Sequence, residues 1–260
     1  MMKFIRAYKR QLKIILFILI TILSSIFIGI TLSSIVENIY LSVEIEQFMD
    51  KGVLQEDISD SSTKYYKVSR ETWMSDDDVF VETDGRVTYG NSGDIICTLD
   101  SYAGNYQITH DLVGFYFGGH AASVCYTETY NNASYTNNYC IESHYNNGVQ
   151  KAYSGYWTRE YARDQIIVLR VKATDDEKRE AFHNLCDCIG KKYNHKYIFD
   201  TKNSYYCSDL ISRAWQKVGI DLNYDGFYCS IQDMICSDKT YISMYKIYKD
   251  NVAYIYYLGD

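Results

Sequence analysis

Tyr205-Tyr206-Cys207-Ser208-Asp209-Leu210-Ile211 is the stretch on which the fold turns. Leu210, Ile211, Ala214, Trp215 and Val218 recur at helical spacing and stop at Gly219, so an amphipathic helix starts at or just before Cys207. A thiol in the first turn of a helix faces unpaired N–H groups and their partial positive charge. Both favour the thiolate, and the same N–H groups can serve a developing oxyanion. A lone cysteine at a helix start is more often an inert core residue. The chemistry therefore depends on what else the chain brings to it.

Upstream, His120 opens the apolar run His120-Ala121-Ala122-Ser123-Val124-Cys125-Tyr126, which reads as a buried strand. A neutral imidazole near pH 7 can take a thiol proton and later give it to a leaving group. Gly118 and Gly119 precede it, and their missing side chains are expected to let substrate or the cysteine helix approach the ring. Tyr139-Cys140-Ile141-Glu142-Ser143 reads as a partner strand, turned away at Asn146-Asn147-Gly148. Glu142 on that strand is placed to fix the second ring nitrogen of His120. His144, on the same strand face, is the reserve for that task.

The remaining elements give an α+β domain. Gly90-Asn91-Ser92-Gly93 is a turn cluster, and the folded domain is expected over residues 90–260. Asp94 to Leu99 reads as a strand, and Gln165 to Val171 is the clearest strand in the chain, being continuous and β-branched. Thr174 with Glu177 makes a capping box for a helix whose Ala181, Phe182, Leu185, Cys188 and Ile189 recur at helical spacing up to Gly190. Val252 to Leu258 reads as a last strand that closes the sheet.

Residues 14–36 hold no charge and, at about 1.5 Å per residue, make roughly 35 Å of helix, enough for a bilayer core. A cleavable signal would have an apolar region of about 7–15 residues and a small-x-small site, which Ser33-Ser34-Ile35-Val36 fits poorly. An uncleaved transmembrane anchor is expected. Lys3, Arg6, Lys9, Arg10 and Lys13 precede it, so residues 1–13 are expected in the cytoplasm and the rest outside the cell membrane. Residues 37–89, charged and without sustained periodicity, read as a stalk or spacer with a short helix near Val43 to Met49.

Five of the 26 basic residues precede the span, leaving 21 against 33 acids, a net charge of −12 for the remainder. Such a surface repels phosphate backbones, and nucleic acid is not an expected partner. The lack of proline beside 28 tyrosines and many Asn, Lys and Ile fits an AT-rich, bacterial genome. The eight cysteines show no disulfide framework and no Cys-x-x-Cys pair, and Cys186-Asp187-Cys188 lacks the second pair a zinc site requires. No metal or other cofactor is expected.

Four segments in order, Gly93-Asp94-Ile95-Ile96, Gly119-His120-Ala121-Ala122-Ser123-Val124, Ile141-Glu142-Ser143 and Tyr206-Cys207-Ser208-Asp209-Leu210-Ile211, resemble the circularly permuted NlpC/P60 hydrolases of the YiiX/YaeF type. Ile189-Gly190-Lys191-Lys192-Tyr193 matches a turn that often reads Gly-Lys-Pro-Tyr in that family, with Lys192 in place of proline. The resemblance implies a permuted papain-like domain with an antiparallel sheet, in which histidine precedes cysteine. By it, Cys207 would be the nucleophile, His120 the base and Glu142 the polar third residue of a cysteine peptidase or amidase. Asp209 stands where Glu is frequent, and the loop between His120 and Glu142 is long and rich in Asn and Tyr. The expected substrate is a peptide, cell-wall peptide or lipid-derived molecule. Relatives that act on lipid acyl chains, and a non-catalytic surface-binding module, are the alternatives.

Overall fold

The computed structural model describes residues 2–74, 82–83, 86–87, 90–100, 107–158, 164–197, 202–223, 226 and 228–259. A nine-stranded sheet dominates it: β1 (Gly52–Leu54), β2 (Thr63–Ser69), β3 (Ile95–Thr98), β4 (His120–Val124), β5 (Tyr139–His144), β6 (Gly148–Tyr153), β7 (Gln165–Val171), β8 (Thr240–Lys249) and β9 (Val252–Gly259). Their spatial order is β1-β2-β9-β8-β7-β3-β4-β5-β6, and every neighbouring pair is antiparallel except β2 with β9. The helices are α1 (Met2–Asp50), α2 (Gln107–Phe117), the short α3 (Gly155–Thr158), α4 (Asp175–Cys186), α5 (Cys207–Gln216) and α6 (Ile231–Cys236).

Local sequence accounts for much of this. In β7, Ile166, Ile167, Val168 and Leu169 are fully buried, as a strand paired on both sides and covered on both faces requires. The capping box of α4 forms, with the Thr174 hydroxyl accepting from the Glu177 N–H and the Glu177 carboxylate accepting from the Thr174 N–H. Ala181, Phe182 and Leu185 of α4 are buried, whereas Ile189, beyond its end, is 38% exposed.

The spacer expected over residues 37–89 is not what its described part forms. Helix α1 continues without a break to Asp50 and buries Ser34, Glu37, Leu41, Ile45 and Phe48 at helical spacing. The last three enter the main core. Strand β2 then pairs with β9 from Thr63 beside Ala253 to Ser69 beside Gly259. Charged residues between the buried positions hide this stripe from a reading by composition. The acidic tract Asp76 to Asp78 lies outside the described residues. Strand β9 forms as expected but lies within the sheet, between β2 and β8, and does not close its edge.

Candidate active site

Cys207 is the first residue of α5. Its N-cap, Tyr206, is extended (φ −89°, ψ 174°) and makes no side-chain cap. No capping side chain competes there for the first-turn N–H groups. The backbone N–H groups of Ser208 and Ala121 favour the thiolate form of Cys207. Leu210 and Ile211, at 1% and 0% exposure, hold the helix in the core, each burial stabilising by about 1.5–3 kcal/mol. Arg213 secures the approach to Cys207: its Nη2 donates to Asp209 Oδ2 and to the Ser204 carbonyl, both at 2.8 Å, and its guanidinium lies over the Tyr205 ring.

His120 enters from the start of β4, paired with Thr98 of β3. Its Nε2 lies 2.7 Å from Glu142 Oε2. That leaves Nδ1 as the nitrogen for the Cys207 thiol, to which the imidazole is hydrogen-bonded. Glu142, on β5, accepts a second bond at Oε1 from Gln150 Nε2, 2.8 Å away on β6. The Ser143 hydroxyl donates to the Tyr205 carbonyl at 2.6 Å, tying the Glu142 strand to the segment that delivers Cys207. Trp157 of α3 stacks on the His120 ring, 5.6 Å between centroids and 12° from parallel. Sulfur, imidazole and carboxylate thus converge from α5, β4 and β5.

Their electrostatics are mutually adjusted. Burial opposes a charged imidazole at His120, but hydrogen bonds to Cys207 and Glu142, with the negative charge of both, raise its pKa to about 9. Burial likewise opposes a thiolate at Cys207; the hydrogen bond and charge of His120, with the Ala121 and Ser208 N–H groups, outweigh it and lower the pKa below the ordinary thiol value. For Glu142, burial pushes up and loses to His120, Gln150 and His144, so the carboxyl ionises below its usual range. By contrast, burial raises the thiols of Cys97, Cys125, Cys140, Cys186, Cys229 and Cys236. All eight cysteines are free and buried.

Of the two candidates to hold His120, the sequence places both on one strand, and it is Glu142 that reaches the ring. His144 meets it edge-on with centroids 6.4 Å apart, and its own Nδ1 accepts from the Asn146 N–H. The two glycines before His120 serve a different purpose from the one expected. A Cβ on Gly119 would stand 2.0 Å from the Asp100 carbonyl oxygen, and one on Gly118 (φ +75°) 2.7 Å from Ile231 of α6. Their small size accommodates the protein's own backbone and core, not substrate or the cysteine helix. Gln150 has an indirect signal in the sequence, because the turn at Asn146-Asn147-Gly148 sets the register that puts it opposite Glu142. Trp157 has no such signal in the sequence.

Aromatic side chains gather around the thiol. Tyr193 and Tyr197 both feel the Cys207 charge, after burial, as a rise in their own pKa values. Tyr197 packs on Tyr206 and on Phe117, and Phe117 on Tyr228, with ring centroids 4.5–5.5 Å apart. Among the described residues no three His, Cys, Asp or Glu side chains gather as a metal site.

With histidine on an early strand and cysteine on a later helix, the chain has the order of permuted papain-like enzymes. Residues 91–248 match Peptidase_C92, the permuted papain-like amidases of the YaeF/YiiX type, and the chain belongs to that family. No curated protein matches the chain. Among solved structures, the metalloprotein yiiX from Escherichia coli O157:H7 is similar at 14% identity and a TM-score of 0.43, over 58% of this chain and 94% of that one. So distant a likeness adds nothing to the family match.

Proposed function

We propose that this protein is a membrane-anchored cysteine amidase of the permuted NlpC/P60 kind that cleaves a peptide or cell-wall peptide bond through a thioacyl intermediate. The observation that carries the proposal is the hydrogen bond between Cys207 and His120, with His120 held in turn by Glu142. The Cys207 thiolate attacks the amide carbonyl carbon, and first-turn N–H groups of α5 stabilise the oxyanion. The imidazolium of His120 gives its proton to the leaving nitrogen as the C–N bond breaks. Water then attacks the thioester, passing a proton to His120 while the C–S bond breaks, and the acid leaves. An inert binding module would not require a thiol and an imidazole tuned toward each other.

The anchor is the apolar part of α1, long and apolar enough to cross a membrane. The basic residues before it favour an orientation with the amidase domain outside the cell. The domain's negative charge suits cationic or zwitterionic peptides and repels nucleic acid.

Mass spectrometry of Cys207 quenched with acid during turnover of a peptide panel is expected to show a peptidyl adduct. A fatty acyl adduct from lipid substrates alone would instead assign the lipid reading. No adduct on Cys207 while a substrate is consumed would remove Cys207 from the mechanism.

The pH profile is a second test. The ion pair exists above the lowered pKa of Cys207 and below the value of about 9 at His120. Activity is therefore lost on the acid side as Cys207 gains a proton, and on the alkaline side as His120 loses one near pH 9. Glu142→Gln removes a charge that raises His120, so the alkaline limb should move to lower pH. An unmoved limb would take Glu142 out of this role.

A further inference from the structure

We propose that α2, with the adjoining part of α1, forms a second membrane contact, a seat occupied by bilayer lipid at the level where α1 leaves the hydrocarbon. The inference rests on the reading of residues 14–36 as the membrane span.

Lengths come first. The side chains of residues 9–29 are all exposed, and cover begins at Ile30 and Thr31, with Ser34 buried. The apolar stretch free of the domain is therefore residues 14–29, about 24 Å of helix at 1.5 Å per residue. A hydrocarbon core is about 30 Å thick, and any tilt of α1 increases the length required. Residues 30–36 must supply the rest, so whatever packs on them lies at the lipid boundary.

What packs there is α2. Its Tyr116 hydroxyl is 3.1 Å from the Thr31 hydroxyl, and Asn38 Nδ2 donates to the Phe115 carbonyl at 3.0 Å. On α2, Ile108 and Leu112 stand one turn apart and are 69% and 53% exposed. Phe115 continues that face into an open groove of about 460 Å³, lined on α1 by Asn38, Ser42 and Glu46 and by the apolar Ile35, Ile39 and Val43. These apolar α1 residues follow at four-residue spacing from the end of the apolar stretch, so the groove is continuous with the lipid-facing surface of the span. An amphipathic helix lying in the interface sinks its apolar edge about 5–10 Å, and aromatic residues such as Phe115 and Tyr116 favour that level.

The seat has a consequence for the active site. Helix α2 leads through Gly118 and Gly119 directly to His120, and Phe117 joins the aromatic cluster around Cys207. Fixing α2 in the interface fixes the height of the thiol above the bilayer.

The test places a benzophenone amino acid, one position at a time, at Ile108, Leu112, Phe17 and Tyr153 of the full chain, in vesicles of phosphatidylethanolamine and phosphatidylglycerol. Phe17 lies in the span, and Tyr153 is an exposed residue of the domain. After irradiation, lipid adducts at 108 and 112 are expected at least about tenfold above those at 153, with adducts at 17 as well. Adducts at 17 with only background at 108 and 112, or crosslinks there to a second protein chain, would overturn the seat and leave the span standing. Absence of lipid adducts at 17 would overturn the span and the seat together.

Discussion

Replacing Cys207 with alanine is expected to lower kcat by about 10⁴–10⁶-fold, with the cooperative unfolding of the domain essentially kept. On the proposed mechanism the loss is large because sulfur, imidazole and carboxylate act as a unit: without the thiolate, His120 has no nucleophile to serve. The fold survives because Leu210, Ile211, Ala214 and Trp215, not the thiol, hold α5 in the core. The same variant should lose alkylation by iodoacetamide at neutral pH. Selectivity follows from the electrostatics, since Cys207 alone among the buried thiols with a shifted pKa is shifted downward, while Cys97, Cys125, Cys140, Cys186, Cys229 and Cys236 are pushed up by burial. Peptide mapping of the wild-type protein should find the label on Cys207. Alkylation of Cys207→Ala at the wild-type rate would sink the nucleophile assignment.

Cys207, His120 and Glu142 were legible because each carries a local signal: a helix start, a Gly-Gly-His strand opening, and a hairpin strand. Even Gln150 was within reach, because a hairpin that pairs His144 with Gly148 must pair Glu142 with Gln150. Trp157 was not, since its contact with His120 joins a four-residue helix to a strand start through packing that no periodicity encodes. Strand β2 escaped for a related reason. Its parallel partner β9 is the last element of the chain, and a strand's partner is invisible when the two are so far apart in sequence. The glycines before His120 show the limit most plainly. Their need for space was readable, but what fills it, the Asp100 carbonyl and Ile231, is set by tertiary packing.

Asp94→Ala is expected to destabilise the domain by about 3–5 kcal/mol, the cost of breaking a buried ion pair from one side. Arg170, on β7, donates Nε to Asp94 Oδ1 and Nη2 to Asp94 Oδ2, both at 2.8 Å, and the two side chains are 4% and 2% exposed. Asp94 does more than pair. Its Oδ2 also accepts from the Asn91 N–H and its carbonyl from the Val124 N–H, which ties the turn at Gly90 to Gly93 to the strand bearing His120. Removing the carboxylate leaves a guanidinium that cannot shed its proton inside the sheet. Arg170→Met is the milder change, because Asp94 then keeps the Asn91 N–H. For a domain of this size the loss should lower Tm by roughly 6–20 °C in a melt of the detergent-solubilised chain. Equal melts for Asp94→Ala and the wild type would mean that the pair contributes no net stability. A melt lower for Arg170→Met than for Asp94→Ala would show that the guanidinium, not the carboxylate, is the partner the fold requires.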